Sequence, residues 1–221
     1  MIARGAVRPA DGQASGRTPR TLDERIADDI GVARLFGPFA VDLAGVARRF
    51  GCPHDAAEAA LRTLSALGIV AALPCGAWRV PLATASQIRA EFALRRRHEP
   101  AALADAARVP AERAAALAGP ATASSDDIEA SLLAAERDGA PVRAAIDGTR
   151  RALRGCGLPP DPAAQARLGT ILGHLARGER EPAARLYAGH LDATAEAMIA
   201  QCKLAPILEP SSAADFLRPL A

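Results

Sequence analysis

The sequence predicts a mainly α-helical protein with one short β-hairpin, and two observations support this. Strong helix formers, above all alanine, leucine and arginine, are abundant along the 221 residues, whereas aromatic residues make up only 3%. Apolar residues recur at helical spacing in most of the chain, and only residues 69–80 carry β-rich apolar runs around a glycine-containing turn. Half of the residues are hydrophobic, so the chain has enough apolar side chains for a packed core.

Three helices are predicted in the first part of the chain. The first covers residues 22 to about 35 and ends at the sequence Phe-Gly-Pro-Phe of residues 36–39, which breaks helical periodicity. Asp42 is a plausible N-cap for a short second helix that ends at Phe50. After the turn at residues 51–54, a third helix runs from about Asp55 to Leu67, and Gly68 ends it.

A hairpin follows the third helix. Residues 69–73 and 77–80 are short β-rich runs that flank the turn at residues 74–76. The order helix, helix, turn, helix, hairpin is that of a winged helix-turn-helix. We therefore predict a winged helix-turn-helix DNA-binding domain over residues 21–82, preceded by a flexible basic tail over residues 1–20.

Only helices are predicted beyond residue 84, and they form an all-α domain over residues 84–203. Ser86 begins a helix that runs to about residue 107, and Ser125 caps the next one. Further helices are expected over residues 141–154 and 163–177, and Pro182 begins the last, which ends near Cys202. Residues 204–221 are expected to be a loose C-terminal tail.

Several functional classes are disfavoured by the composition. No apolar stretch approaches the length of a membrane span, and the N-terminal residues lack the apolar core of a secretory signal, so we expect a cytoplasmic protein that does not enter membranes. The four cysteines form no CxxC pair and are expected to be reduced, a redox-sensing role being the alternative. No catalytic arrangement stands out, so no catalytic residue and no enzymatic activity are predicted.

The predicted DNA-binding domain resembles the GntR family of bacterial regulators. The resemblance rests on Phe50-Gly51, on the Ala60-Leu61-Arg62-x-Leu64 motif and on Gly68-Ile69-Val70. It implies DNA contacts by basic residues of the second helix, the third helix and the wing. The candidates are Arg48, Arg49, His54, Arg62 and Arg79.

The third helix departs from the family pattern. Family members usually begin this recognition helix with Ser-Arg-Thr-Pro-Val-Arg-Glu-Ala-Leu, whereas residues 53–61 here lack both arginines. Asp55 and Glu58 lie on the face that would enter the DNA groove, and carboxylates repel phosphates. One alternative is that the candidate residues are ordinary solvated charges on a fold that has lost operator binding. The basic N-terminal tail is a possible source of nonspecific affinity.

The second half resembles the FCD effector domain of the FadR-like GntR branch. The resemblance rests on Arg95 before the Glu99-Pro100 pair, and on Gly178, residues 183–184 and His190 near the end. It implies an all-α effector-binding bundle and a homodimer, since two winged helices read a palindromic operator. The fold class predicted for the whole chain is therefore mainly α, with an N-terminal winged helix-turn-helix followed by an FCD-type bundle.

The FCD resemblance also implies a metal site, which this sequence does not match. The family holds a divalent ion between one Asp and three His. Here Asp147 or Ile146 occupies the Asp position, Arg150 or Arg151 the first His position and Leu168 the second, so that only His190 matches. A cation beside arginine and leucine is disfavoured. We therefore expect no metal or other cofactor, with a site rebuilt from His98 and His174 as the alternative.

An arginine at a former metal position suggests a different ligand, because a guanidinium binds a carboxylate through two hydrogen bonds. The sequence predicts that Arg95, Asp147, Arg150, Arg151 and His190 line a cavity for a small effector, an organic acid. The alternative for the arginine pair is a salt bridge with Asp147 or a surface position. The leading hypothesis is a dimeric transcription regulator with operator DNA and this effector as partners. A ligand-binding or interaction protein, or a recruited enzyme, are the alternatives.

Overall fold

A computed structural model describes residues 20–74, 76–105, 107–118, 124–205 and 216–219. The described chain is mainly helical, which confirms the predicted fold class. Its elements in chain order are α1 (Leu22–Ala33), β1 (Phe39–Val41), α2 (Leu43–Phe50), α3 (His54–Ala66), β2 (Ala71–Ala72), β3 (Trp78–Val80), α4 (Ala85–Ala104), α5 (Ala111–Leu117), α6 (Ser125–Leu132), α7 (Ala140–Gly155), α8 (Pro162–Ala176), α9 (Arg180–Leu204) and β4 (Leu217–Pro219).

The N-terminal elements form the predicted winged helix. Asp42 caps α2 by accepting a hydrogen bond from the backbone of Ala44, as its position in the sequence predicted. Gly51 ends α2 in the left-handed conformation, with φ 62°, where a β-carbon would be strained. Helices α2 and α3 each bury an apolar face, which carries Val46 on α2 and Leu61 on α3. These faces pack against each other and against the sheet. This packing leaves the opposite face of α3 to solvent.

The β-sheet is larger than the sequence predicted. Residues 39–41, of which Phe39 was assigned to the break after the first helix and the other two to no element, form β1, which pairs antiparallel with β3. The C-terminal residues 217–219, expected to be part of a loose tail, form β4 on the other side of β1. The strand order is therefore β2-β3-β1-β4. Strands this short have no local periodicity of their own and are stabilised by their neighbours, so the sequence carried no signal for them.

Helix α1 joins the two halves of the molecule. It packs lengthwise against α7, and glycines on both helices allow a very close approach. A β-carbon at Gly31 would lie 2.0 Å from the carbonyl oxygen of Ala145, and one at Gly148 would lie 2.1 Å from that of Asp28. Since no side chain fits there, the first helix of the winged half is fixed to the helical half.

The helical half is built around α9, which packs against α4 and α8. Its helices begin within two residues of the predicted starts, although Thr84 rather than Ser86 caps α4 and Ser124 rather than Ser125 caps α6. Helix α5 was not predicted. Strands are confined to residues 39–41, 71–72, 78–80 and 217–219 within the described chain. None of the described helices has both the length and the apolarity to span a membrane.

Candidate nucleic-acid interface and effector site

A network of ionised side chains lies at the centre of the helical half. The Arg95 guanidinium is buried and donates from Nε to both carboxylate oxygens of Glu99, at 2.8 and 3.0 Å. Its Nη2 donates to Glu129 at 3.1 Å and to the Tyr187 hydroxyl at 3.0 Å. The Tyr187 hydroxyl donates in turn to Glu99 at 2.8 Å. Because Arg95 and Glu99 lie four residues apart on α4, one helix face presents both charges to α6 and α9.

Glu129 connects the network to two further predicted residues. Its Oε1 lies 2.6 Å from His190 Nε2, and its Oε2 accepts a hydrogen bond from Arg150 at 3.1 Å. Burial alone would raise the pKa of this carboxyl, but Arg150, Arg95 and the His190 hydrogen bond hold it well below its ordinary value. Glu129 is therefore a fixed anion in the interior of the bundle.

The pKa of the Asp147 carboxyl, unlike that of Glu129, lies above its ordinary value. Burial raises its pKa to about 6. Arg150 and Arg95 oppose this shift, whereas Glu129 and Asp126 add to it. Asp147 Oδ1 lies 3.7 Å from Arg150 Nη1. The side chain retains 27% of its exposure and lines a cleft of about 140 Å³ between α6 and α7, together with Glu129 and Arg143. At this cleft, the network is accessible to a small solute.

Four of the five predicted effector residues are brought together, and Arg151 is not. Arg95, Arg150 and His190 all bind Glu129, and Asp147 lies beside Arg150. Arg151, one residue further along α7, points toward α1 and binds Asp28 at 2.6 Å. Successive residues of an α-helix are rotated by about 100° around its axis, so the two neighbouring arginines lie on different faces of α7.

The geometry does not fit the metal that the FCD resemblance implies. His190 Nδ1 accepts a hydrogen bond from Arg167 Nε at 3.3 Å, so guanidinium groups lie on both sides of the His190–Glu129 pair. Leu168 is buried in apolar surroundings, and His174 binds Glu179 at 2.5 Å. Within the described residues, no three His, Cys, Asp or Glu side chains are grouped as metal ligands. That the protein binds no metal remains a prediction.

The predicted cavity is replaced by two shallow clefts on either side of the network. Arg150 borders one, of about 30 Å³, with Asp126 and Met198. Asp147 borders the other, described above. Neither of these two clefts is lined by His190. The side chains of Glu129 and Tyr187 occupy the interior beside His190 where an effector was expected.

The predicted DNA-binding residues are exposed on the winged half. His54 begins α3, Arg62 lies two turns further on, and Arg79 lies on β3. Arg48, on α2, is 68% exposed and lies 3.6 Å from Asp42. Arg49 binds Asp29 through Nε at 2.6 Å and lies over the rings of Phe50 and Phe216.

The acidic residues of α3 share its exposed face, as predicted. Glu58 binds Arg62 at 2.5 Å in an exposed i, i+4 pair, and Asp55 is exposed beside His54. An exposed pair of this kind contributes only about 0.3–0.5 kcal/mol, so Arg62 is readily drawn to a stronger anion. The face is therefore mixed in charge.

Five residues that contribute to these sites were not predicted from the sequence. They are Glu99, Glu129, Arg167 and Tyr187 in the network, and Arg218 beside Arg48 on the winged half. Glu99 was noticed only as part of a motif. A signal for Glu129 was available in principle, because an arginine expected in the interior requires a buried carboxylate.

Neither a protein-family model nor a curated protein sequence matches the chain. Among solved structures, the fold is similar to that of E. coli McbR/YncC, with a TM-score of 0.53 and 14% sequence identity. The similarity covers 83% of this chain and 99% of that chain. The two proteins therefore share a fold over both the winged half and the helical half.

Proposed function

We propose that the protein is a GntR-type, DNA-binding transcription regulator of the cytoplasm, with no enzymatic activity. The observation that carries the proposal is the arrangement of the winged half. His54 and Arg62 on α3 and Arg79 on β3 are exposed, while the apolar faces of the same elements are buried. This is how a winged helix presents its recognition helix to the major groove. The likeness in fold to McbR/YncC, a GntR-family regulator, supports it.

The regulator would act as a homodimer on a palindromic operator, because one winged helix reads only a half-site. Its basic residues are few, so the affinity that phosphate contacts supply would be modest and most evident at low salt. The test is retardation of the DNA upstream of its own gene by the purified protein. We expect binding at low salt that Arg62→Ala weakens several-fold. If no upstream fragment is retarded, the regulator proposal fails.

The helical half would sense a small carboxylate, in an FCD-like manner, at Arg150, which borders the smaller of the two clefts and lies 3.7 Å from Asp147. Arg150 already binds carboxylates of the chain, at 3.0 Å to Asp126 and 3.1 Å to Glu129. An incoming carboxylate would therefore take the place of one of these partners rather than fill an empty pocket. Exchange of partners on α7 would be transmitted to α1, against which α7 packs closely.

The effector proposal is tested by melting temperature in the presence of small dicarboxylic and hydroxycarboxylic acids. A ligand that binds only the folded state raises the melting temperature with its concentration. We expect Arg150→Lys, which keeps the charge but not the paired donors, to abolish the shift, and Arg151→Lys to preserve it. A shift that is lost in the Arg151 variant and kept in the Arg150 variant would show that the site lies elsewhere.

A second candidate function is favoured by one observation. Asp55 and Glu58 are exposed on the face of α3 that would enter the groove. An interaction protein that kept the fold but lost operator binding would show such a face. Failure of DNA binding at low salt, with the carboxylate-induced melting shift retained, would favour this function over the first.

A further inference from the structure

The last described residues of the chain dock on the winged half beside its basic residues. Strand β4 pairs with β1, and the Asp42 amide donates to the carbonyl of Phe216 at 2.8 Å. The Phe216 side chain is fully buried, and its ring meets that of Phe50 edge-on at 5.9 Å. Leu217 is also buried. The strand is therefore attached by backbone hydrogen bonds and by apolar burial.

The surface of α2 is shaped to receive this strand. Gly45 faces Phe216, and a β-carbon at Gly45 would lie 2.9 Å from the Cα of Phe216 and 3.0 Å from its Cβ. The glycine thus leaves a slot that any larger residue would fill. This fit favours one defined position of β4 on the winged half.

Docking places a new guanidinium on the outer face of the sheet. Ala40 of β1 is directly opposite Arg79 on β3 and directly opposite Arg218 on β4, and residues opposite each other in a sheet share a face. The residues that alternate with them, among them Val80 and Leu217, are buried. Two strand spacings separate the Cα atoms of Arg79 and Arg218, about 10 Å. The small Ala40 side chain leaves the space between them open.

Arg218 also lies beside a predicted DNA-binding residue of α2. Its Nη2 and that of Arg48 each lie 3.6 Å from the same oxygen of Asp42, and the two side chains are 64% and 68% exposed. The Asp42 carboxylate is engaged at the same time in capping α2. Arg79 has no ion-pair partner within the described residues. Arg48 and Arg218 therefore share one carboxylate, and Arg79 adds a further positive charge to the same face of the sheet as Arg218.

We propose that Arg218 contacts a DNA backbone phosphate, so that the C-terminal strand completes the nucleic-acid interface of the winged half. The proposal rests on the proposed function. Duplex DNA carries a phosphate every 3.4 Å of rise along each strand, so arginines whose Cα atoms lie about 10 Å apart can each reach a phosphate. Base edges are not involved, and the contact raises affinity for all sequences alike.

The test uses the full-length protein and a fluorescently labelled 30-bp duplex of mixed sequence, titrated by anisotropy at several salt concentrations. For each subunit bound, Arg218→Ala should weaken binding about 5- to 10-fold near 0.1 M salt and make the slope of log K against log salt shallower by about 0.9, the value for one phosphate contact. Arg218→Lys should largely restore both quantities. Arg185→Ala is the matched control, because Arg185 is 72% exposed on α9 and pairs only weakly with Glu181.

A second variant displaces the strand without changing charge. Gly45→Val fills the slot for Phe216 and should reproduce the loss seen with Arg218→Ala, and the double variant should lose no more than either alone. A chain that ends at residue 215 should behave in the same way, which keeps the test valid if Gly45→Val does not fold.

The outcomes separate this inference from the proposed function. If the wild type binds the duplex and Arg218→Ala keeps the wild-type affinity and slope, the inference is wrong while the regulator proposal stands. Equal losses in Arg218→Ala and Arg185→Ala would also overturn it, because the effect would then be one of net charge. If the wild type binds no duplex even at low salt, the regulator proposal and the inference fall together.

Discussion

Arg95 in the helical half and Arg62 in the winged half serve opposite purposes. In the helical half, Arg95 is 1% exposed and its guanidinium donates hydrogen bonds to Glu99, Glu129 and Tyr187. In the winged half, Arg62 is 71% exposed and has one weak partner on its own helix. A buried guanidinium must be neutralised within the fold, whereas an exposed one is solvated and remains available to another molecule.

The difference indicates where a partner can act. DNA would meet the exposed arginines with little rearrangement, because water and single weak ion pairs are all that it displaces. A carboxylate effector would have to compete with Glu129 or Asp126 for Arg150. Under the proposed function, DNA binding would therefore depend on salt concentration, and effector binding on an exchange of partners inside the bundle.

Removal of Arg95 should have the largest effect on stability. Arg95→Ala leaves Glu99 and Glu129 buried without their shared cation and should lower the free energy of unfolding by about 3–5 kcal/mol. The adjacent Arg96 forms an exposed pair with Asp192, and Arg96→Ala should cost less than about 1 kcal/mol. Urea unfolding at pH 7 measures both. Equal losses would remove the distinction between buried and exposed arginines.

Neutralising Asp147 should stabilise the protein. Its folded pKa, about 6, lies above the unfolded value of 3.8, so its contribution is most favourable below pH 4 and is lost as the pH rises through 6. Asp147→Asn should therefore match the wild type near pH 4 and exceed it by up to about 3 kcal/mol at pH 7.5. Unfolding measured across this range checks the sign. A variant that is less stable at pH 7.5 would show that the Arg150 contact outweighs burial.

Arg62 should matter least to the fold. Arg62→Ala removes an exposed i, i+4 pair and should change the free energy of unfolding by less than about 0.5 kcal/mol. A loss of 2 kcal/mol or more in the same urea experiment would mean that Arg62 has a structural role and would undermine its assignment to DNA.

The sequence was sufficient for the parts of the fold that have local signals. The Asp42 cap, the glycines at 51 and 68 and the apolar periodicity each act within a few residues, and α2 and α3 lie within one residue of their predicted bounds. Strands β1 and β4 were missed because they exist only through pairing between residues far apart in the chain, about 40 positions for β1 with β3 and about 180 positions for β1 with β4. No local pattern specifies such a pairing.

The candidate effector site was predicted in part for a similar reason. Arg150, Asp147 and His190 were found because they lie on the inward faces of long helices, which periodicity defines. Periodicity did not separate Arg150 from Arg151, since a small rotation of α7 decides which one faces Glu129. Glu129 itself is 61 residues from His190, and only the packing of α6 brings them together.

The central claim is that the exposed basic residues of the winged half bind DNA. It is tested most directly by titrating the wild-type protein against the DNA upstream of its own gene from about 50 to 200 mM salt. If Arg48, Arg62, Arg79 and Arg218 contact phosphates, the slope of log K against log salt should be about −3 to −4 per subunit, with tighter binding than to a scrambled duplex. Absence of binding at the lowest salt would contradict the account.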